Sequence, residues 1–418
     1  MCIKYFITIG YKFNLNMGLI AIFFAYILGA FGLGNTPAEI INLWPVSLFL
    51  MLFSVTLFYA FASSNGTLEK LAKKVVYASR KAPWSIPIVI FVLGMFMSGI
   101  GAGDSALVAL VPIAITIARV TNMSYYLAVI SAMSGINIGA FSPIATIGIF
   151  CRSLVEQVGK YGEPISNAIG DRMLLQSFAM FTIAFVAAYI IFKGYKITAP
   201  DLEVTEPFDK KQKQTLVLVA LFVGIMLIIP VLATITKAAF FIYLKGKIHL
   251  VFTAFFLSAV AVILKLADEK QAFSKVPLTA ITTISGMSML VGIIVQTGAI
   301  DIMTNFVSNN LNSGLTVQVM MGIFGGLMSL FVAGYIVNSA FFPLIPGLAA
   351  AFTMDPGSLY SAVAIGAIAT AVSPFSQIGG FAVASIEDDV VRKKVFGSLL
   401  IWPFINLVVY VILMVLGL

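Results

Sequence analysis

Apolar runs of about twenty residues follow one another along almost the whole chain, and that pattern decides its solvent. A helix of that length spans the roughly 30 Å of hydrocarbon in a bilayer. Uninterrupted runs lie at about 17–35, 44–62, 173–193, 214–235, 249–267, 276–297 and 396–418. Of the 418 residues 60% are hydrophobic and only 10% charged, where a soluble domain carries about 25% charged residues. The fold class is therefore an all-α polytopic membrane protein.

The net charge of +8 (25 − 17) does not indicate nucleic-acid binding. Lysine and arginine gather in short loops, as the positive-inside rule requires of cytoplasmic segments. Residues 65–81, 193–213, 267–273 and 387–394 are such segments. The first reads as an amphipathic helix at the membrane surface. Residues 152–172 read as a polar loop of mixed charge. Cys2 and Cys151 have neither metal nor redox spacing and read as unpaired thiols. His249, the only histidine, reads as an interfacial residue. Residues 1–16 are apolar but too short to span, and no signal-peptide cleavage site follows them.

Four further runs are interrupted in matched pairs. The run at about 85–118 is broken by Gly99, Gly101, Gly103, Asp104 and Ser105. Its arms are each short for a span, so it reads as a re-entrant helical hairpin. The run at about 122–151 is over-long and broken at Gly139, Ser142 and Pro143, which reads as a crossing helix interrupted in its middle. The second half repeats both: a hairpin at about 316–352 with Asn338 and Ser339 at its tip, and a broken helix at about 357–386 with Ser373, Pro374 and Gly379. Asp104-Ser-Ala and Pro112 superpose on Asn338-Ser-Ala and Pro346 at a shift of 234 (338 − 104), and Ser142-Pro on Ser373-Pro at 231 (373 − 142).

Counting crossings from the cytoplasmic loops opens the first hairpin from the cytoplasmic side and the second from the outer side. The chain thus divides into a repeat at 1–193, a cytoplasmic linker at 194–213 and an inverted repeat at 214–418. Inverted repeats with discontinuous helices meeting near the midplane are the pattern of secondary transporters.

Each break exposes chemistry. Backbone N–H groups freed at a helix start attract carboxylates and other oxyanions. Carbonyls freed at a helix end, joined by Asn, Asp, Ser or Thr oxygens, suit a small hard cation such as Na⁺. Asp104 is the one acidic residue inside an apolar run, and an intramembrane carboxylate is costly enough to mark a functional site. It reads either as a cation- or proton-binding group or as a structural carboxylate paired with Arg119 or capping the second hairpin arm. In the 234 register its partner is the neutral Asn338.

With these residues in view, the chain resembles the divalent anion/sodium symporter family of the ion transporter superfamily. The tips at 104–106 and 338–340, each leading to a proline, are similar to that family's Ser-Asn-Thr hairpin signatures. Asn65-Gly-Thr, residues 268–273, 286–292 and 297–301 look most like the malonate/dicarboxylate carrier branch.

The resemblance implies an elevator transporter working as a homodimer. It places substrate contacts at Gly103, Asp104, Ser105, Thr146, Val337, Asn338, Ser339 and Gln377. It implies one Na⁺ site at Gly99, Asp104, Phe141, Ser142 and Ala145, and a second at Ala333, Asn338, Val372, Ser373 and Ser376. The family's first signature serine is Gly103 here and Val337 in the second copy, and its Thr-Pro-Pro pattern is Thr146-Ile-Gly and Gln377-Ile-Gly. The family also carries a further helix before the first span, of which residues 1–16 look like the stump.

The expected function is secondary active transport of a small dicarboxylate, of malonate or four-carbon type, coupled to Na⁺, in a bacterial inner membrane. A proton-coupled carrier or an exchanger of another anion is the near alternative. A membrane-embedded enzyme is the distant one, and a single peripheral histidine with no carboxylate cluster argues against it. The partners implied are the anionic substrate, Na⁺ or H⁺, the lipid bilayer and a second copy of the chain. No cofactor is expected beyond the coupling ion, and no nucleic acid.

Overall fold

The computed structural model describes residues 17–198, 206–298, 302, 305, 311, 313–330, 333–374, 379, 383 and 389–417, all in helices, turns and short connections. Residues 1–16, the suspected stump, lie outside them. Among the described residues five helices are long and apolar enough to cross a membrane, six if one bent pair counts as a single span.

The first half runs α1 (Met17–Tyr26), the short α2 (Pro37–Asn42), α3 (Val46–Ser64) and α4 (Thr67–Ala78). The hairpin arms α5 (Ile86–Met97) and α6 (Gly103–Val120) follow, then the broken pair α7 (Tyr125–Gly139) and α8 (Thr146–Gly159), and α9 (Glu163–Ile191). The second half holds α10 (Lys210–Val223), α11 (Ile229–Thr236), α12 (Ala239–Lys247), α13 (Leu250–Ile263), α14 (Glu269–Ser274) and α15 (Leu278–Gln296). The second hairpin is α16 (Gly314–Ser329) with α17 (Gly334–Phe341) and α18 (Ile345–Ala351); α19 (Pro356–Ala369) and α20 (Asp389–Val415) complete the chain.

Helix α4 confirms the amphipathic reading. Leu68, Ala72 and Val76, four residues apart and so on one face, are buried, while its lysines lie on the other side. The corner before it is held by Asn65, whose Nδ2 donates to Thr215 Oγ1 at 2.7 Å and to the Leu266 carbonyl at 3.2 Å. Gln212 Nε2 donates in return to the Asn65 carbonyl at 3.1 Å. One side chain thus ties α3 and α4 to the start of α10 and the end of α13. We expect Asn65→Ala to lower the stability of the purified protein by roughly 1–3 kcal/mol, because it strands the partners of a part-buried amide; a melting curve in detergent measures it.

Two boundaries differ from the sequence reading. The stretch 152–172 is helical except at 160–162. Two of its arginines pair: Arg152, only 8% exposed, donates to Asp171 Oδ1 at 2.6 Å, and Arg172 bonds Asp355 at the cap of α19. The hairpin arms are also longer than expected, since Pro83–Ala102 and Gly334–Ala351 reach 20 and 18 residues, enough to span. The first hairpin still doubles back: a Cβ on Gly94 in α5 would stand 3.2 Å from the Leu110 side chain in α6.

The packing pairs helices across the halves. Helix α1 packs on α15, and α3 on α13. Within each half the first hairpin arm packs on the first part of the broken helix, α5 on α7 and α16 on α19. These two crossings share one detail. A Cβ on Gly135 would stand 2.0 Å from the Phe91 carbonyl oxygen, and one on Gly366 would stand 2.2 Å from the Gly322 carbonyl oxygen. Small residues let membrane helices approach to backbone contact. Both partners lie at one offset (366 − 135 = 231; 322 − 91 = 231).

Candidate functional site

The first hairpin turns at Gly101 (φ +103°) and Gly103 (φ +46°), a conformation that side chains disfavour. The turn is held from α3, where the buried Tyr59 hydroxyl donates to the Ile100 carbonyl at 2.5 Å. It docks on the first helix break: a Cβ on Gly101 would stand 2.8 Å from the Ile144 carbonyl oxygen, and one on Gly103 3.3 Å from Thr146 Oγ1.

The two helix breaks close in the same way. A Cβ on Gly148 would stand 1.9 Å from the Ser142 carbonyl oxygen, and one on Gly379 2.1 Å from the Ser373 carbonyl oxygen. The first break is also fixed from behind by Arg152, whose Nη1 donates to the carbonyls of Phe141 (3.0 Å) and Gly148 (3.2 Å).

Between both tips and both breaks lies a cavity of about 380 Å³. The two halves line it at one offset. Ser98, Ala102, Gly103, Leu107, Ile136, Asn137 and Ala140 have as their counterparts, 231 residues on, Ser329, Ala333, Gly334, Asn338, Ala367, Ile368 and Ala371, and all fourteen are in the wall. The second hairpin arms likewise begin at Gly103 and Gly334 (334 − 103 = 231). This corrects the register taken from the sequence. The counterpart of Asn338 is Leu107, and that of Asp104 is Tyr335.

Three helices that start at the cavity begin behind alanine, which cannot cap: Ala102 before α6, Ala145 before α8 and Ala333 before α17. Elsewhere Thr36, Asp209, Asp268, Ser313 and Asp355 cap helix starts with their side chains. An alanine in place of such a cap costs about 1 kcal/mol, and it leaves N–H groups and the positive dipole end for an anion.

The cavity extends from the tips toward one end of the bundle, past Thr56 to Ser63 at the end of α3 and to Lys275, Pro277 and Ile281 at the start of α15. Lys275 Nζ donates to the Ser63 carbonyl at 3.1 Å, and it is the only lysine or arginine in the wall among the described residues. This is the end that carries the lysines of α4 and α10. Toward the other end, Ile20, Ala21, Ala25, Met287, Leu290 and Ile293 of α1 and α15 form an apolar cluster against which Ile336 packs.

Of the residues implied as substrate contacts, Gly103, Thr146 and Asn338 line the cavity. Val337 and Ser339 are buried but do not; Ser339 Oγ donates to the Tyr335 carbonyl at 2.9 Å within its own helix. Asp104 and Ser105 stand in the first turn of α6; their side chains, like all of Gln377, lie outside the described residues. The first Na⁺ set is divided. Phe141 and Ala145 line the cavity, whereas Gly99 and Ser142 face a separate hollow beside Leu174 and Phe178. The Phe141 carbonyl already accepts from Arg152, so a guanidinium occupies an oxygen expected for the ion. In the second set Ala333 and Asn338 line the cavity, Val372 and Ser373 are buried in the break beneath it, and Ser376 is outside the described residues. No group of three His, Cys, Asp or Glu side chains able to hold a metal occurs among the described residues.

The sequence reading missed Ser98, Ser329, Asn137 and Lys275. The offset of 231, already visible between the breaks, would have found the two serines. Asn137 is an amide in the middle of an apolar helix and was legible on that ground alone.

Residues 1–145, from the start of the chain through the first break, match the family model of the dicarboxylate carrier protein MatC N-terminus. Over this first third the chain is similar to dicarboxylate carriers. Its fold is shared with the YdaH transporter of Alcanivorax borkumensis, at a TM-score of 0.58 and 12% identity over 93% of this chain and 89% of that one. A search of curated proteins by sequence finds no match. The chain is a multi-pass helical membrane protein, and its cavity is the place where both hairpin tips and the described parts of both breaks meet.

Proposed function

We propose that the transporter carries small dicarboxylates, of malonate or four-carbon type, by secondary active transport coupled to Na⁺ in a bacterial inner membrane. The observation that carries this reading is the cavity lined by both halves at one offset. In an inverted repeat, equivalent residues from the two halves face each other across a central site, and uncapped helix starts there supply N–H groups for carboxylates. The reading keeps the division into a repeat at 1–193, a linker at 194–213 and an inverted repeat at 214–418.

An elevator mechanism suits the packing. The hairpins and broken helices, joined through backbone contacts at Gly135 and Gly366, would travel as one block along a scaffold of α1, α3, α13 and α15. That scaffold would hold two copies together as a homodimer. With the lysine-rich end in the cytoplasm, the cavity of this structure faces inward, and the cluster around Ile20, Met287 and Ile336 closes the outer side.

Asp104, at the first turn of α6, is the candidate to bind the coupling cation, or a proton in the alternative reading. Without a charged counterpart, since the 231 register sets Tyr335 opposite it, coupling would rest on one side of the site. We expect Asp104→Asn to remove the Na⁺ or pH dependence of uptake; uptake by this variant with unchanged dependence on both ions would discard that role.

The deciding experiment is uptake of labelled malonate and succinate into proteoliposomes, with and without an inward Na⁺ gradient. Accumulation that requires Na⁺ supports the proposal. Accumulation driven by a pH gradient alone, or counterflow indifferent to any gradient, would assign a proton-coupled carrier or an exchanger. Failure to move any carboxylate would refute the dicarboxylate reading.

A further inference from the structure

Twelve buried side-chain polar atoms lack a hydrogen-bond partner among the described residues, and four of them belong to the wall of this one cavity: Ser98 Oγ, Ser329 Oγ, Asn137 Nδ2 and Asn338 Oδ1. Their residues are 0%, 1%, 1% and 3% exposed. A buried polar atom without a partner costs roughly 1–3 kcal/mol; each of these four has under 1 Å² of accessible surface, so a ligand in the cavity would satisfy them only as their side chains turn toward it.

Their chemistry constrains that ligand. The two serines are counterparts at the 231 offset, one on each hairpin, and a hydroxyl can donate or accept. The two asparagines are not counterparts: position 368, opposite Asn137, is Ile368, and position 107, opposite Asn338, is Leu107. Asn137 offers an N–H, which only an acceptor can satisfy. Asn338 gives its own N–H to Cys151 Sγ at 3.6 Å, which leaves its carbonyl oxygen needing a donor. A plain dicarboxylate, ionised, has acceptors only.

We propose that Asn137, Ser98, Ser329 and Asn338 form a recognition site for a hydroxy-substituted dicarboxylate, one carboxylate accepting from Asn137 and the serines, and the substrate hydroxyl donating to Asn338 Oδ1. This rests on the dicarboxylate reading above and narrows it. The asymmetry of the two asparagines gives the substrate one orientation in an otherwise paired cavity.

The test compares acids that differ only by a hydroxyl: malate with succinate, and tartronate with malonate, each titrated calorimetrically against the purified full-length transporter in saturating Na⁺. A site built to bond a hydroxyl discriminates against the analogue that lacks it. The expected result is about tenfold tighter binding of the hydroxy acid in each pair, the worth of roughly 1.4 kcal/mol. Asn338→Leu, which installs the residue the other half already uses, should bring the ratio within each pair close to one. Asn137→Ile should weaken all four acids by tenfold or more without changing the ratios. Equal affinities within both pairs in the unsubstituted protein would overturn the proposal while leaving the dicarboxylate reading intact. So would a ratio untouched by Asn338→Leu, or a ratio set by Na⁺ concentration, the signature of a cation on Oδ1. Binding of none of the four acids would overturn both.

Discussion

Gly148→Ala is expected to abolish transport, and Gly379→Ala to do the same, with no change in either hairpin tip. A Cβ at these positions would stand 1.9 and 2.1 Å from the carbonyl oxygens of Ser142 and Ser373, distances at which something must move. The neighbour is backbone, not the end of a flexible side chain, so the break must open. Overpacking of this kind costs about 3 kcal/mol or more. At Gly148 it also displaces the Gly148 amide from the Ala140 carbonyl, where it bonds at 2.8 Å. That contact holds Thr146 against Gly103 and the uncapped start of α8 toward the cavity. Initial uptake rates in proteoliposomes, beside a melting curve, would separate a lost site from a lost fold. Full uptake in both variants would show that break geometry is irrelevant to transport.

The second large effect is electrostatic. Lys275→Glu should slow uptake at least tenfold from the cytoplasmic side, and Lys275→Gln should do so less. The wall of the cavity has no other lysine or arginine among the described residues, and a single charge at the mouth of a low-dielectric cleft concentrates ions of opposite sign. Reversing it sets a carboxylate in the path of an anion. The defect should shrink as salt is raised, because a mouth charge is screened over about 8–10 Å near physiological ionic strength. Efflux from right-side-out vesicles at several salt concentrations measures it; a defect independent of salt would assign Lys275 to holding the Ser63 carbonyl instead.

Much of this site was legible before any coordinates. Asp104, Asn338, Ser142-Pro143 and Ser373-Pro374 marked two tips and two breaks because small, polar and helix-breaking residues are costly inside apolar runs. The hairpin register was not legible, and the reason is specific. The second hairpin has two prolines, Pro343 and Pro346, so shifts of 231 and 234 both set a proline against Pro112. The shared Ser-Ala after Asp104 and Asn338 favoured the longer shift. Packing decides otherwise, since a helix start is fixed by where the backbone turns, and α6 and α17 both start at a glycine 231 residues apart. Arg152 was misread for a related reason. In sequence it opens a charged stretch that resembles a loop, yet its two terminal nitrogens bond two carbonyls of the break and Asp171, which lets α8 continue through it.

The central claim, that the dicarboxylate enters this cavity from the cytoplasm and sits between the tips, can be tested by one labelling rate. Ala333→Cys places a thiol at the start of α17 in the cavity wall, in a chain whose Cys151 is fully buried. A membrane-impermeant thiol reagent applied to inside-out vesicles should modify it, with the unsubstituted chain as background, and saturating succinate or malate should slow the reaction at least fivefold. A rate unaffected by any dicarboxylate, or modification only from the outer side, would contradict the account.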